Sequence, residues 1–210
     1  MKNKYLDISP SRKSLIIKLI NKRLSIYDSF IEFGYASGNT LKDIKKDYPK
    51  KNYLGIDLDL HPLEDISTIK KDLNNFNFSL LDKYFQDKSC YILFDVLEHL
   101  NDPWKFLKNL TKEISKESII LISCPNFKSI RFLIAYFKGE IPLNDSGFFD
   151  RTHIRWMTSE SLIKNTELEL TNFKIKPGYI YSEKIFFKIF QKILPSRFCS
   201  QFTLKIIKLN

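Results

Sequence analysis

The sequence predicts one α/β domain in which helices cover both faces of a mostly parallel sheet. Three observations lead to this prediction. The chain has 210 residues, of which 43% are hydrophobic, enough for one sizeable core, and no change in composition divides it. Short apolar runs alternate with segments of helical periodicity, an order typical of parallel strands joined by helices. Two of these runs end at a glycine or an aspartate, which suits the sheet edge where ligands bind.

The apolar runs indicate six strands, and the other periodic segments indicate four helices. The predicted strands occupy residues 27–34, 51–59, 89–97, 117–124, 171–181 and 201–209. The predicted helices occupy residues 10–26, 39–48, 102–114 and 183–194. Asp102 followed by Pro103 is typical of a helix N-cap and first helical position.

Composition and charge disfavour several classes of protein. The three cysteines, Cys90, Cys124 and Cys199, are odd in number and lack CxxC spacing, so neither a disulfide framework nor a cysteine zinc site is favoured, and a reducing cytoplasm fits best. The chain has no signal-peptide pattern and no apolar run long enough to span a bilayer. A net charge of +10 favours nucleic acid, an anionic membrane surface or a phosphorylated substrate, although scattered lysines on a solvated surface explain much of it.

A loop with two glycines follows the first predicted strand and precedes a predicted helix. Residues 31–38 read IEFGYASG. Glycine permits positive φ and close approach of a ligand, and the N–H groups at a helix start attract anions. The spacing matches neither GxGxxG nor GxxxxGK[ST], so neither a dinucleotide fingerprint nor a P-loop is predicted. The loop resembles the first motif of class I S-adenosylmethionine-dependent methyltransferases, an acidic residue followed by GxGxG.

This resemblance implies S-adenosylmethionine as the cofactor and a role for each residue of the loop. Glu32 would orient the methionine amino group, and Gly34 and Gly38 would let the backbone lie against the cofactor. Ala36 departs from the family pattern, because it stands where the middle glycine usually lies and adds a methyl group near the methionine moiety. The expected consequence of Ala36 is weaker cofactor binding or a degenerate cofactor site.

Two downstream segments are expected to complete the cofactor site. Asp57 ends the second predicted strand, where a carboxylate can accept hydrogen bonds from both ribose hydroxyls. Asp59 is the competing candidate, and its structural alternative is to cap the next segment. Asp72 and Leu73 resemble the adenine-contact loop of the family, in which the aspartate accepts from the adenine amino group and the apolar residue packs on the ring.

Residues 94–104, FDVLEHLNDPW, resemble the fourth-strand segment of the same family, FDVLEHLxDPxxxL. The resemblance implies that Asp95, on the cofactor side, and Glu98 and His99 lie in the crevice at the strand end. The element order also resembles the Rossmann-like, doubly wound, seven-stranded sheet of the family, whose last strand inserts antiparallel. On this pattern residues 27–125 form the cofactor-binding half of a single domain spanning 1–210, and residues 126–210 form the substrate-side insertion and the C-terminal strands.

Residues 150–158, DRTHIRWMT, resemble the DRTHxRxxT string of a subset that includes methyltransferases found near surface-polysaccharide genes. The resemblance implies O-methylation of a small molecule or saccharide, either free or attached to a carrier. A hydroxyl acceptor must lose a proton, and histidine suits this task because its pKa is near neutrality. We therefore predict His153 and His99 as catalytic residues, with a structural role as the alternative. Arg151 and Arg155 are predicted to bind an anionic substrate, with ordinary ion pairs as the alternative.

Two other functions stay open at this point. Asp95, Glu98, His99 and His153 can form a divalent-metal site, similar to the ExxEH…H set of Hen-type small-RNA 2′-O-methyltransferases. The first glutamate of that set is replaced by Asp95, and no RNA-binding module is evident. The other alternative is a non-catalytic interaction protein that keeps the fold, although the retained motifs argue against it.

The predicted helix at 183–194 suggests a membrane contact. Lys184, Lys188 and Lys192 recur every four residues and share one face, while apolar side chains occupy much of the remaining surface. This pattern is typical of an interfacial helix on anionic lipid, which would place a cytoplasmic enzyme at the inner face of the membrane. The alternative is that the helix covers the sheet edge or the acceptor pocket.

Overall fold

Seven strands form one sheet in the computed structural model, which describes residues 15–17, 19, 24–85, 87–167, 172–180 and 192–209. The strands are β1 Ser29–Phe33, β2 Asn52–Asp57, β3 Ser67–Lys70, β4 Ser89–Phe94, β5 Ile119–Pro125, β6 Phe173–Ile180 and β7 Gln201–Lys208. Their order across the sheet is β3-β2-β1-β4-β5-β7-β6. Strands β1 to β5 are parallel, and β7 pairs antiparallel with both β5 and β6. The predicted mostly parallel sheet with an antiparallel last strand is therefore confirmed.

Six α-helices lie between or beside these strands in the described part of the chain. They are α1 Asn39–Asp47, α2 Asp82–Phe85, α3 Pro103–Glu113, α4 Ile130–Phe137, α5 Ser159–Glu167 and α6 Pro195–Phe198, with short 3-10 helices at Leu24–Ile26, Leu73–Asn75, Phe78–Leu81 and Leu97–His99. The predictions at 39–48 and 102–114 correspond to α1 and α3. Most residues of the two predicted helices at 10–26 and 183–194 lie outside the described part of the chain. Within the first of them, residues 15–17 are helical. No described helix is both long and apolar enough to cross a membrane.

Alternate side chains of the central strands pack on opposite faces of the sheet. Ile31 and Phe33 of β1 belong to one buried cluster, and Phe30 belongs to the other. The alternation repeats on β4, where Ile92 and Leu93 join opposite clusters. Side chains of a strand alternate in this way, so apolar residues at every position require cover on both faces. The continuous apolar runs that predicted these strands have this physical origin.

Strand β3 is the strand that the sequence pattern did not reveal, and the helices α2, α4, α5 and α6 were not predicted either. Strand β3 is four residues long, it lies at the edge of the sheet, and its positions are exposed or half-buried. Ile69 is its only large apolar residue, and this side chain packs against the core beside β2. A strand with one neighbour and one apolar side chain carries almost no periodic signal.

A buried asparagine joins the end of β5 to the segment that precedes β7. Asn126 donates from Nδ2 to the carbonyl oxygens of Ser196 and Cys199 at 2.8 and 2.9 Å, and its Oδ1 accepts from the Lys128 N–H at 3.2 Å. The Asn126 N–H also donates to the Ser200 carbonyl at 2.8 Å. These bonds fix the antiparallel strand beside β5 and thereby close one side of the cleft described below.

We predict that Asn126→Ala lowers the free energy of unfolding by about 2–3 kcal/mol, because the substitution leaves two buried carbonyls and one N–H without the side-chain partner. Chemical denaturation followed by circular dichroism measures this change. The control is Asn172→Ala, at an exposed asparagine before β6, which should change the value by less than about 0.5 kcal/mol. Equal stability of wild type and Asn126→Ala would show that the asparagine does not hold β7.

Candidate active site

The carboxyl ends of β1, β2 and β4 open into one cavity of about 1260 Å³. The wall of this cavity includes eight of the residues predicted from the sequence, namely Gly34, Asp57, Asp72, Leu73, Asp95, Glu98, His99 and His153. Parallel strands end at the same edge of a sheet, so side chains that follow different strands meet there. Glu32 and Gly38 are not part of the wall: Glu32 is buried within β1, and Gly38 is the N-cap of α1.

Both predicted glycines adopt the left-handed backbone that favours glycine. Gly34 has φ of 66° and Gly38 has φ of 72°. A Cβ atom at Gly34 would lie 2.7 Å from Cγ2 of Val96, and one at Gly38 would collide with the Leu63 side chain. Each glycine is therefore required by conformation and by space.

Ala36 also adopts a left-handed conformation, with φ of 47°. Its N–H donates to Oδ2 of Asp57 at 2.8 Å, and Oδ1 of the same carboxylate accepts from the Asp59 N–H at 3.3 Å. The alanine thus keeps a turn that glycine would form with less strain, and Asp57 holds it in place. Asp57 and not Asp59 is the carboxylate joined to the glycine loop.

Tyr35 is a structural residue of the loop that sequence reasoning missed. Its hydroxyl donates to the His61 carbonyl and accepts from the His61 N–H, both at 2.8 Å, and its ring is buried. A Cβ atom at Gly55 of β2 would lie 2.7 Å from the ring, so Gly55 leaves the space that Tyr35 fills. The signal in the sequence was a large aromatic residue next to a glycine loop, together with a glycine inside a strand.

The predicted adenine-contact segment lies on the cavity wall as a short capped turn. Asp72 accepts from the Asn74 N–H through Oδ1 at 2.9 Å and caps the 3-10 helix Leu73–Asn75. The Asn74 side chain in turn accepts from the Asn101 N–H at 2.8 Å. This bond ties the segment to the loop after β4 and fixes one side of the cavity relative to the other.

Asp95 begins that loop with a left-handed conformation, φ 57°. Its Oδ1 accepts from Nε2 of Gln201 at 2.8 Å and from the Ser123 hydroxyl at 3.2 Å. Its N–H donates to the Ser123 carbonyl at 3.0 Å. Aspartate tolerates this conformation better than most residues, and contacts from β5 and β7 fix it here.

Glu98, His99 and His153 lie close together on the wall of the cavity. One ligand atom from each of the three lies within 4.8 Å of the others, and the two imidazole centroids are 4.8 Å apart. Nε2 of His153 is 3.9 Å from Oε1 of the buried Glu98. The Glu98 carbonyl accepts from the Ile154 and Arg155 N–H groups at 2.9 and 3.0 Å, so backbone bonds hold the two sequence strings together.

The hydrogen bonds of both histidines leave Nε2 as the acceptor atom. Nδ1 of His153 is 3.3 Å from the Phe148 carbonyl, and Nδ1 of His99 is 3.2 Å from the Thr152 carbonyl. A carbonyl can only accept, so each Nδ1 carries a proton. Burial, and then the neighbouring His99, lower the pKa of His153 below its ordinary value of 6.5, against the opposing effect of Asp150.

Asp150 stabilises the turn that precedes His153. Its Oδ1 accepts from the Thr152 N–H at 2.9 Å and from the Thr152 hydroxyl at 2.6 Å. Burial acts to raise the pKa of Asp150, but the bonds from Thr152 and the adjacent His153 more than offset burial, and the pKa is lowered. The carboxylate is therefore ionised and fixes the turn from which His153 projects.

Neither predicted substrate-binding arginine is among the residues that line the cavity. Arg151 forms an ion pair with Asp145 on the exposed surface. Arg155 donates to the Asn101 carbonyl, from Nε at 2.9 Å. Arg131 of α4 does line the cavity, and sequence reasoning missed it because its position depends on the insertion between β5 and α5.

The chain matches the model of a family described as methyltransferase domain over residues 4–175. The chain belongs to this methyltransferase family. A search of curated proteins found none that matches the sequence. The methyltransferase that was predicted from the glycine loop and the two strings is therefore confirmed at the level of the family, together with S-adenosylmethionine as the cofactor.

Solved methyltransferase structures share the fold at low sequence identity. The plantazolicin methyltransferase BpumL, solved with SAH, is 18% identical, with a TM-score of 0.63 over 95% of this chain and 81% of that one. An S-adenosylmethionine-dependent methyltransferase from Archaeoglobus fulgidus is 18% identical, with a TM-score of 0.60 over 93% and 94%. The methyltransferase domain of a bacterial Hen1, CtHen1-CN, is 15% identical, with a TM-score of 0.58 over 95% and 98%. At these identities the likeness concerns the fold.

The residues present in the methyltransferase cavity suit S-adenosylmethionine. The glycine loop and Asp57 occupy adjacent strand ends, and among the described residues seven carboxylates and two permanent cations, Lys71 and Arg131, line the cavity. The carboxylates are Asp43, Asp57, Asp59, Asp72, Asp95, Glu98 and Asp150. An acidic wall attracts a cofactor that carries a sulfonium and an ammonium group.

We predict that Asp57→Ala weakens binding of S-adenosylhomocysteine by about 1.5–3 kcal/mol, because the carboxylate supplies charge-assisted hydrogen bonds and also holds the Ala36 turn. Isothermal titration calorimetry measures the affinity. Asp59→Ala is the matched control and should have a much smaller effect, since its side chain makes no bond to the loop. Unchanged affinity in Asp57→Ala would remove this residue from the cofactor site.

Proposed function

We propose that this methyltransferase uses S-adenosylmethionine to methylate a hydroxyl group of a small molecule or saccharide, either free or attached to a carrier. The observation that carries the proposal is the position of His153. It lies on the cavity wall with Nδ1 bonded to a carbonyl, Nε2 available as an acceptor, and a lowered pKa. An imidazole in this state is neutral at physiological pH and can take a proton from a hydroxyl.

We assign the cofactor to the half of the cavity formed by β1 and β2. The loop that begins at Gly34 would hold the methionine end, Asp57 the ribose, and Asp72 with Leu73 the adenine. The contacts of Glu32 and Gly38 with the methionine end stay predictions, because neither residue is on the cavity wall. Asp95, bonded to Gln201 and Ser123, would face the cofactor from β4. When bound, S-adenosylmethionine supplies an electrophilic methyl group on its sulfonium. The role of the chain is to align the acceptor with that group and exclude water.

The acceptor hydroxyl would lie against His153 on the other half of the cavity. As the oxygen attacks, its proton passes to Nε2 of His153, and the resulting imidazolium faces the Glu98 carboxyl oxygen 3.9 Å away. A buried carboxylate stabilises such a cation strongly. His99 would orient the Thr152 turn through its Nδ1 bond. Binding of an anionic substrate by Arg151 and Arg155 stays a prediction. In the structure both arginines are bonded to other residues.

We predict that His153→Ala lowers kcat for a hydroxyl acceptor by about 10²–10⁴-fold while the affinity for S-adenosylhomocysteine stays nearly unchanged, because only the base is lost. Acceptors are first identified by screening hydroxylated compounds for S-adenosylhomocysteine release. Ile154→Ala, at the exposed neighbour of the base, is the control and should retain activity.

The pH profile gives a second measurement on the same variant. His153 must be neutral to act as base, so wild-type kcat should rise as the pH passes upward through its lowered pKa, with a midpoint below the ordinary value of 6.5, and then level off. This rise of kcat with pH should disappear in His153→Ala. An acidic limb that persists in the variant would assign the titration to another group.

One observation favours a second candidate function, metal-assisted methylation. One ring nitrogen from each of His99 and His153 and a carboxyl oxygen of Glu98 converge within 4.8 Å. Two imidazoles and a carboxylate form a common set of ligands for divalent first-row transition metals such as Mn²⁺. In that case Glu98, His99 and His153 would hold the metal, which would act as a Lewis acid toward a ribose 2′-hydroxyl acceptor. Asp95, the fourth ligand predicted from the sequence, instead bonds Gln201 and Ser123.

The two candidates differ in their response to metal. If a metal participates, Mn²⁺ should bind the full-length chain in calorimetry, and His99→Ala and His153→Ala should each weaken that binding at least about tenfold. EDTA should also abolish turnover. If His153 is a simple base, EDTA should have no effect, and His99→Ala should lower kcat far less than His153→Ala does.

A further inference from the structure

An apolar patch lies on the surface beside the acceptor side of the cavity. Five of the thirteen large hydrophobic side chains that are exposed among the described residues fall within residues 134–143. They are Ile134, Tyr136, Phe137, Ile141 and Leu143, and the most exposed is Phe137 at 82%. Clustered exposed hydrophobic residues of this kind mark a surface that binds something.

Helix α4 is unusual for a surface helix because it lacks a polar outer face. Its sequence is IRFLIAYF, and Ala135 is its only buried residue. A surface helix normally directs polar side chains to solvent, and an apolar one requires cover by protein or lipid. The segment after α4 adds the exposed Ile141 and Leu143, next to one exposed carboxylate, Glu140.

Two cations flank the patch and lack a partner in the described part of the chain. Arg131 lies in the first turn of α4 and Lys138 directly follows the helix, and neither forms an ion pair with a described residue. Exposed aromatic and aliphatic side chains next to unpaired cations are typical of a surface that inserts into an anionic lipid interface. A second copy of the chain fits less well, because each copy carries a net charge of +10.

We infer that this patch docks on an anionic lipid surface and places the mouth of the cavity at the membrane. Arg131, and Ser146 to Phe148 on the other side of the patch, line the cavity, so the patch lies at its rim. Apolar side chains enter the acyl boundary, while Arg131 and Lys138 meet lipid phosphates. The inference goes beyond the proposed function, since it concerns where the enzyme binds and not what it methylates.

The test is co-sedimentation of the full chain with vesicles of phosphatidylglycerol and phosphatidylcholine, or of phosphatidylcholine alone, at low and high salt. We expect salt-sensitive binding to the anionic vesicles. Tyr136→Ser/Phe137→Ser/Leu143→Ser should lower the partition coefficient at least about tenfold, because three apolar side chains that would be buried in the lipid are lost. The matched control, Leu80→Ser/Leu209→Ser, removes exposed apolar residues elsewhere and should not change it.

A second pair of variants tests the charges. Arg131→Gln/Lys138→Gln should weaken binding several-fold at low salt, and Lys50→Gln/Lys116→Gln, which remove exposed lysines elsewhere, should weaken it far less. Circular dichroism checks that each variant folds. S-adenosylhomocysteine binding by the triple serine variant checks the cofactor site independently of the membrane.

Three results would overturn the inference. The first is that wild type binds neither kind of vesicle. The second is that Lys184→Gln/Lys188→Gln/Lys192→Gln abolishes binding while the patch variants bind normally, which would place the contact in the segment 183–194. The third is self-association of wild type in sedimentation that the triple serine variant abolishes, which would make the patch an interface between copies.

Discussion

The backbone leaves β1 and β4 through left-handed conformations, and the position of the other cavity residues depends on this constraint. Gly34 and Ala36 turn the chain sharply after β1, and Asp95 does the same after β4. Each turn is fixed by contacts from other strands. The Asp57 carboxylate of β2 holds Ala36, and Ser123 of β5 with Gln201 of β7 hold Asp95. Left-handed residues other than glycine cost free energy and persist where such contacts over-determine them.

The same principle assembles the cluster of Glu98, His99 and His153 from distant parts of the chain. The 149–158 segment follows a long insertion, yet two N–H groups from it bond the single carbonyl of Glu98. These two hydrogen bonds hold His153 beside His99 and the Glu98 carboxylate. Asp150 then fixes the segment locally through Thr152, so that the His153 ring can vary little in direction. Backbone bonds, rather than contacts between the reactive side chains, therefore position the cluster.

Strand periodicity and short motifs could predict much of this molecule, because they depend on neighbouring residues. The buried runs around Ile31 and Ile92 predicted their strands, and strand-end residues such as Asp57 lie where the motifs indicated. Contacts between distant residues gave no such signal. The partner of Asp95 is 106 positions away at Gln201, and Arg131 reaches the cavity through an insertion without a motif. The motif arginines Arg151 and Arg155, by contrast, bond to Asp145 and Asn101, which only the tertiary structure could reveal.

The two candidate mechanisms share one requirement, which is that His153 be neutral. A general base needs the Nε2 lone pair of His153 for a proton, and a metal ligand needs a lone pair on the same ring. Burial of His153, and then the neighbouring His99 ring with its centroid 4.8 Å away, lower the pKa of His153 and favour its neutral form in both mechanisms. What separates the mechanisms is the buried Glu98. As the neighbour of a base it stabilises a transient imidazolium, whereas as a ligand it must lie close enough to share a cation with both rings. The distance of 3.9 Å from its Oε1 to Nε2 of His153 is longer than a hydrogen bond, so proton transfer needs only the electrostatic effect of this carboxylate, whereas metal binding would need it as a direct ligand.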